Sequence, residues 1–232
     1  MQITKKEDIR LLFNRIARHY DFVNHFVSLN TDKLWRRKVR KRLAKYNPNN
    51  ILDVATGTAS LAVELLKLNP QKITAIDIAE IMLEEAQKKI NKLNKQDVIS
   101  LQLADCENLP FADNAFDAIT VGFGVRNFEN YRKGLSEIHR VLRPGGVLLI
   151  LEFGKPNKFP VKQLYSFYFN TFLPIAGKFL SGSYESYKHL PVSVNTFPYD
   201  QNFINILSDI GFKDCHFEKF SMGICYLYQG AK

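Results

Sequence analysis

Between residues 49 and 153 apolar runs alternate with helical patterns, and this alternation restricts the folds open to the chain more than any other feature. The runs are 51–55, 73–77, 99–104, 116–123 and 146–153, with helical spacing at about 58–68, 80–94 and 130–142. The last helix carries Tyr131, Leu135, Ile138 and Leu142 at core spacing and is stopped by Arg143-Pro144-Gly145-Gly146. Strands that alternate with helices pair in parallel, so the expected fold is α/β, with a doubly wound, mostly parallel sheet. After Gly211-Phe212, a strand to about Phe220, a turn near Met222-Gly223 and a strand at 224–229 predict an antiparallel hairpin that finishes the sheet. The expected organisation is one domain over 1–232: basic helices at 1–48, a cofactor-binding core at 49–156, an insertion at 157–200, and a terminal helix and hairpin at 201–232.

The first strand runs into Ile51-Leu52-Asp53-Val54-Ala55-Thr56-Gly57-Thr58-Ala59-Ser60, then into the helical pattern Leu61, Leu65, Leu68. Backbone N–H groups at such a turn lack partners inside the helix, and the helix dipole favours a polar or anionic ligand there. Asp77 follows Asp53 by 24 residues and closes the next strand, where an acid can accept hydrogen bonds from ribose hydroxyls. Two cofactors suit this geometry, a dinucleotide and S-adenosylmethionine. The dinucleotide fingerprint wants three glycines and the turn has only Gly57, whereas the turn of methyl-donor enzymes is looser. A buried strand entering an ordinary helix gives the same pattern. Ligands of doubly wound sheets sit at the carboxyl ends of the strands, which aligns the turn, Asp77, Asp105 and Gly122–Asn127 along one edge.

The net charge of +9 is concentrated at one end: residues 1–48 hold 13 Lys and Arg against 4 acids, and the remainder is balanced at 19 against 19. Residues 7–17 set Ile9, Leu12, Phe13, Ile16 and Ala17 on one helical face. A second helix, about Thr31 to Tyr46, carries Trp35, Val39 and Leu43 on a stripe among basic residues. That pattern suits a solvated surface helix or attraction to an anionic membrane surface. No nucleic-acid-binding module is recognisable, so nucleic acid ranks last. Three cysteines without a C-x-x-C pair predict reduced thiols, and five histidines without ligand spacing predict no metal. No apolar run reaches 18 residues, so the expectation is a cytoplasmic protein, peripheral at most to the inner face of the cell membrane. A homodimer stays open. Eleven of the 29 aromatic residues fall between Phe159 and Tyr199, which suits either core packing or a cap over an apolar ligand at the sheet edge.

The chain resembles the quinone-ring C-methyltransferases of ubiquinone and menaquinone biosynthesis, which include the demethylmenaquinone methyltransferases, a branch of the class I S-adenosylmethionine-dependent enzymes. The resemblance lies in Phe13-x-x-Ile16-Ala17-x-x-Tyr20-Asp21-x-x-Asn24-x-x-x-Ser28 with Trp35, Leu52-Asp53-Val54-Ala55-x-Gly57-Thr58, Asp77-Ile78 and Asp105-x-Glu107-x-Leu109-Pro110-Phe111. It continues in Phe123-Gly124-x-Arg126-Asn127, Arg140-Val141-Leu142-x-Pro144-Gly145-Gly146, Leu151-Glu152-Phe153, Ser186-Tyr187 and the terminal Gly223-Ile224. Phe-Gly-x-Arg-Asn together with Tyr-Asp-x-x-Asn is its most specific part. The chain departs from the family at Gly122, where a serine is usual, and at Ala59-Ser60, where Gly-Asp is usual.

The resemblance implies an S-adenosyl-L-methionine-dependent C-methyltransferase, with donor contacts at Asp53, Gly57, Thr58, Asp77, Asp105, Cys106 and Gly122. Its implied acceptor is a demethylated polyprenyl quinol, most closely 2-demethylmenaquinol, bound by Tyr20, Arg126 and Tyr187 under the aromatic insertion. Arg126, Asn127 and Asp105 are the implied catalytic residues. A methyltransferase for another small aromatic or lipid acceptor, and a donor-binding protein of the same fold with weakened catalysis, are the two other readings.

Overall fold

A computed structural model describes residues 5–28, 30–167 and 192–232. Seven strands form one sheet in the order β3-β2-β1-β4-β5-β7-β6. They are β1 (Asn50–Val54), β2 (Lys72–Asp77), β3 (Ile99–Leu103), β4 (Phe116–Gly122), β5 (Leu142–Phe153), β6 (Lys213–Phe220) and β7 (Cys225–Ala231). The first five pair in parallel, and β7 enters antiparallel between β5 and β6. Strand order reverses between β1 and β4, which opens a crevice at their carboxyl ends.

The central strands are continuous apolar runs because both faces are covered. Successive residues alternate between two cores. Ile51, Leu149 and Leu151 join a cluster under α3 (Thr31–Leu43), α4 (Ser60–Leu65) and α5 (Glu80–Leu93), with Trp35, Val39, Leu61, Ala86 and Ile90. Leu52, Val54, Leu148 and Ile150 face the other way, onto α6 (Tyr131–Val141) and α8 (Gln201–Ile210), through Leu135, Ile138, Phe203 and Leu207. The N-terminal α1 (Lys5–Ile16) sets Ile16 with Ala17 against Ala79 and Met82, at the start of α5. That contact lays the basic N-terminal segment across the carboxyl edge of the sheet.

Several boundaries differ from those read in the sequence, each for a local reason. The helix expected from 58 starts at Ser60, because Ala55, Gly57 and Ala59 all take positive φ (53°, 56° and 60°) and spend the turn before the helix. The helix expected at 130–142 begins at Tyr131, with the Asn130 side chain accepting a hydrogen bond from the Lys133 N–H as N-cap, and ends at Val141. Strand pairing starts at Leu142 rather than 146: the ladder slips between Phe116 and Ala118 and resumes at Val147. Gly146 is obligatory in that slip, since a Cβ there would lie 2.9 Å from the Asp117 carbonyl oxygen. An unexpected helix, α2 (Tyr20–Val27), follows α1 after a single 3-10 turn. In the insertion α7 (Val161–Phe167) is a helix; the aromatic residues from Tyr168 to Tyr187, which were expected to cap a ligand, lie outside the described residues. Among the described residues no helix is long and apolar enough to cross a membrane, and no group of His, Cys, Asp and Glu could hold a metal ion.

Candidate active site

The turn after β1 is pinned from both sides. Thr56 donates its backbone N–H to the Ile76 carbonyl at 2.9 Å, and Gly57 donates its N–H to Asp77 Oδ2 at 2.7 Å. Asp77 Oδ1 accepts from the Ala79 N–H at 2.9 Å, so the acid at the end of β2 is fixed by backbone donors. Burial raises its pKa, and these hydrogen bonds pull it back. Asp53 lies beneath the turn, accepting from the Thr56 and Thr120 hydroxyls at 2.6 Å each. Burial lifts the Asp53 carboxyl to about 6. Asp53 thus braces the turn through Thr56 while also lining the cavity above it. Alanine at 59 holds a left-handed conformation that glycine adopts without cost, at roughly 1–2 kcal/mol.

Thr58 does not point a free hydroxyl at the cleft. It donates to Asp21 Oδ1 of α2 at 2.6 Å, while Lys89 of α5 reaches Asp21 Oδ2 at 2.6 Å and the Ser60 hydroxyl at 2.9 Å. Burial would raise the Asp21 carboxyl, but Lys89 and the two hydroxyls hold it below its ordinary value. This knot ties the N-terminal helices to the turn. Asp105 is similarly engaged from α1: Oδ2 pairs with Lys6 Nζ at 2.6 Å and Oδ1 accepts from the Glu107 N–H at 2.9 Å. The neighbouring Cys106 thiol is pushed above its ordinary pKa by burial and by the Asp105 and Glu107 carboxylates, and so stays protonated.

Arg126 sits in the 3-10 turn after β4, beside Glu152 of β5. Its Nη1 pairs with Glu152 Oε1 at 2.6 Å and also donates to the Phe123 carbonyl. The side chains are 7% and 0% exposed, and the guanidinium lies 5.3 Å from the centre of the Phe153 ring. Among the described residues Nη1 makes every hydrogen bond of the guanidinium, and Nε is buried without a partner.

Two joined cavities run along the edge. The larger, about 360 Å³, is lined by Asp53, Thr56, Thr58, Arg126, Phe153 and Tyr165, among others. The smaller, about 80 Å³, is lined by Ile76, Asp77, Asp105, Cys106 and Asn127. Tyr20, Gly57, Gly122 and Phe123 line both and mark the junction. A Cβ on Gly122 would lie 3.2 Å from Leu61 Cδ2. The structure thus brings the predicted residues to one edge, with one difference. Asn127 and Asp105 line the smaller cavity, away from the one that holds Arg126. Tyr187 lies outside the described residues. Sequence reading passed over Lys6, Lys89 and the role of Glu152; only Glu152 left a signal, as a lone acid in the apolar run 146–153.

The sheet order, with a tight turn after β1 and an acid at the end of β2, is that of the class I methyltransferase fold. Solved structures share it: a SAM-dependent methyltransferase from Aquifex aeolicus aligns with TM-score 0.58 and 20% identity over 82% of this chain and 88% of its own. The [4+2]-cyclase SpnF aligns with TM-score 0.62 and 16% identity over 99% and 97%, so the fold by itself does not fix the reaction. Sequence is more specific. The model of the ubiE/COQ5 methyltransferase family matches residues 1–232, and this chain belongs to that family. It is 42% identical over 229 residues to the demethylmenaquinone methyltransferase of Bacteroides fragilis, covering 98% of this chain and 94% of that protein. It is also 42% identical over 231 residues to the ubiquinone/menaquinone biosynthesis C-methyltransferase UbiE of Geotalea daltonii, covering 98% and 97%. The methyl donor is S-adenosylmethionine. The cleft suits it: a turn kept open by Gly57 at φ 56°, a buried carboxylate at Asp77, and two cavities that meet at Gly122.

Proposed function

We propose that this methyltransferase acts on a ring carbon of a demethylated polyprenyl quinol, converting 2-demethylmenaquinol to menaquinol. The observation that carries the reading is Arg126, locked by Glu152 on the wall of a largely apolar cavity that opens from the donor turn. S-adenosylmethionine brings an activated methyl on a sulfonium. The chain has to hold that methyl facing the acceptor and make the ring carbon nucleophilic. In this assignment Asp77 accepts from the ribose, Asp105 and Cys106 flank the adenine, and Gly57 and Thr58 border the amino-acid end, with Asp53 acting beneath them. Gly122 borders the junction of the two cavities.

A phenol-like hydroxyl ionises near pH 10, so forming the phenolate at pH 7 costs about 4 kcal/mol. Arg126 offsets part of this by donating to the developing oxyanion from a fixed, water-poor position. Glu152 and the Phe123 carbonyl take Nη1 and leave Nη2 for the acceptor. The guanidinium remains charged throughout and so orients and stabilises rather than accepting the proton. Holding sulfonium and carbon in line contributes roughly 7–11 kcal/mol. Tyr20 lines the junction, and Tyr165 lines the larger cavity where the ring would sit. Mass spectrometry of the quinol after incubation with isotopically labelled donor tests the reading: the label belongs in the ring methyl, and an unlabelled ring from folded protein refutes it.

We further propose peripheral contact with an anionic membrane, where a polyprenyl substrate resides. In α3, Arg36, Arg40 and Arg42 pair internally with Asp32, Glu64 and Glu218, but Lys33, Arg37 and Lys41 are exposed, as is Leu34. Each exposed cation that reaches the headgroups contributes about 1 kcal/mol. Co-sedimentation with anionic liposomes should weaken as salt rises, and salt-insensitive binding contradicts the electrostatic part.

A further inference from the structure

The larger cavity has a second polar wall, separate from Arg126 and built by α2 and α3. Asp32 and Arg36 form an ion pair there with side chains 6% and 14% exposed, and both line the cavity. An i,i+4 pair on a helix surface is ordinary, but burying one costs more desolvation than it returns in stability. The other basic residues of this helix either reach across to acids of other elements or stay in solvent, so the inward placement of Arg36 calls for a ligand.

The hydrogen-bond inventory identifies its chemistry. Asp32 Oδ2 accepts from Arg36 and from His25 Nδ1 at 2.7 Å, and Oδ1 accepts from the Ser28 hydroxyl at 2.8 Å. A carboxylate has about four acceptor sites, so roughly one remains. Arg36 uses Nη2 alone among the described residues, leaving the other N–H donors of its fork. Burial would raise the Asp32 carboxyl, yet Arg36, Ser28 and His25 hold it below its ordinary value, so it remains an acceptor. One acceptor site beside several donors is what a neutral hydroxyl matches, since it both gives and takes a hydrogen bond. Tyr20 stands between the two walls: burial raises its phenol, and Arg126 and Arg36 both pull it back.

We propose that Arg36 and Asp32 bind the second ring hydroxyl of the acceptor, the one para to the oxygen at Arg126, and so select a 1,4-dihydroxy ring over a simple phenol. This rests on the quinol reading above. Arg36 donates to that hydroxyl oxygen and Asp32 accepts its proton in a hydrogen bond, while Arg126 keeps the oxygen next to the reacting carbon.

The test compares two acceptors with the same short prenyl tail, demethylmenaquinol and an analogue with hydrogen in place of the distal hydroxyl, in wild type and Arg36→Leu. With the dihydroxy acceptor, Arg36→Leu should raise KM about tenfold or more with a much smaller change in kcat, the scale of a lost hydrogen bond to a charged group. With the deoxy analogue, wild type should already show the high KM and the substitution should add little. Quenching of Trp35, the sole tryptophan and a cavity residue, reads acceptor binding without turnover and should follow the same pattern. Arg36→Lys should recover part of the affinity. If Arg36→Leu does not fold, Arg36→Lys and Asp32→Asn carry the same comparison. Equal losses on both acceptors, or no loss on either, overturn the proposal while leaving the quinol reading intact. A wild-type protein that methylates neither acceptor overturns both.

Discussion

Glu152 and Arg126 meet at 2.6 Å at the carboxyl edge of the sheet, with almost no solvent on either side chain. Glu152 also accepts from the Arg126 and Phe153 backbone N–H groups, at 3.3 and 2.9 Å, so the acid is fixed before it fixes the arginine. A guanidinium held in this way loses little freedom when an oxyanion arrives, which is how a static contact becomes a rate.

Removing the acid should therefore be costly. Glu152→Ala leaves a buried, unpaired cation and should destabilise the fold by about 3–5 kcal/mol in denaturant titration. Glu152→Gln, which keeps the shape, should lose less stability but still lower kcat. A Glu152→Ala protein as stable as wild type would mean that the pair is solvated.

Arg126→Ala should reduce kcat at least about tenfold and leave donor affinity, measured by calorimetry, nearly unchanged. Loss of donor binding alone would contradict its place beside the acceptor.

Asp77→Ala should act in the opposite way, weakening donor binding by roughly 1.5–3 kcal/mol, the size of a lost charge-assisted hydrogen bond. Because Asp77 also anchors the Gly57 N–H, part of the loss should appear as a looser turn, read as faster hydrogen exchange at 55–59. Unchanged donor affinity refutes the ribose assignment.

Asp53 sets a pH dependence of stability. Its folded pKa is raised from 3.8 to about 6, so between those values the folded state binds more protons than the unfolded state. Stability from this group is thus present below about pH 4, falls as pH rises to about 6, and is flat above. Asp53→Asn should remove that slope, and identical slopes in wild type and variant contradict the assignment.

The parallel core was legible in the sequence because strands buried on both faces are written as unbroken apolar runs, as in Val147–Leu151. The terminal hairpin was legible from its turn. What escaped depends on contacts between distant segments. Positive φ at Ala55 and Ala59 is imposed by closure of the turn, and no residue type announces it. Lys89 and Asp21 are 68 positions apart, and nothing local marks either as a partner of Thr58. Arg126 and Asn127 are neighbours in the chain and were expected to share one pocket. The single turn they occupy sends them to different cavities, because adjacent residues there point in different directions.

The most direct measurement is a crystal structure with S-adenosylhomocysteine and a non-reactive quinol analogue bound together. The account predicts the donor sulfur at the Gly122 junction, opening onto the larger cavity, with one ring oxygen on Arg126. A donor seated elsewhere, or a ring whose oxygens do not meet that guanidinium, would contradict it.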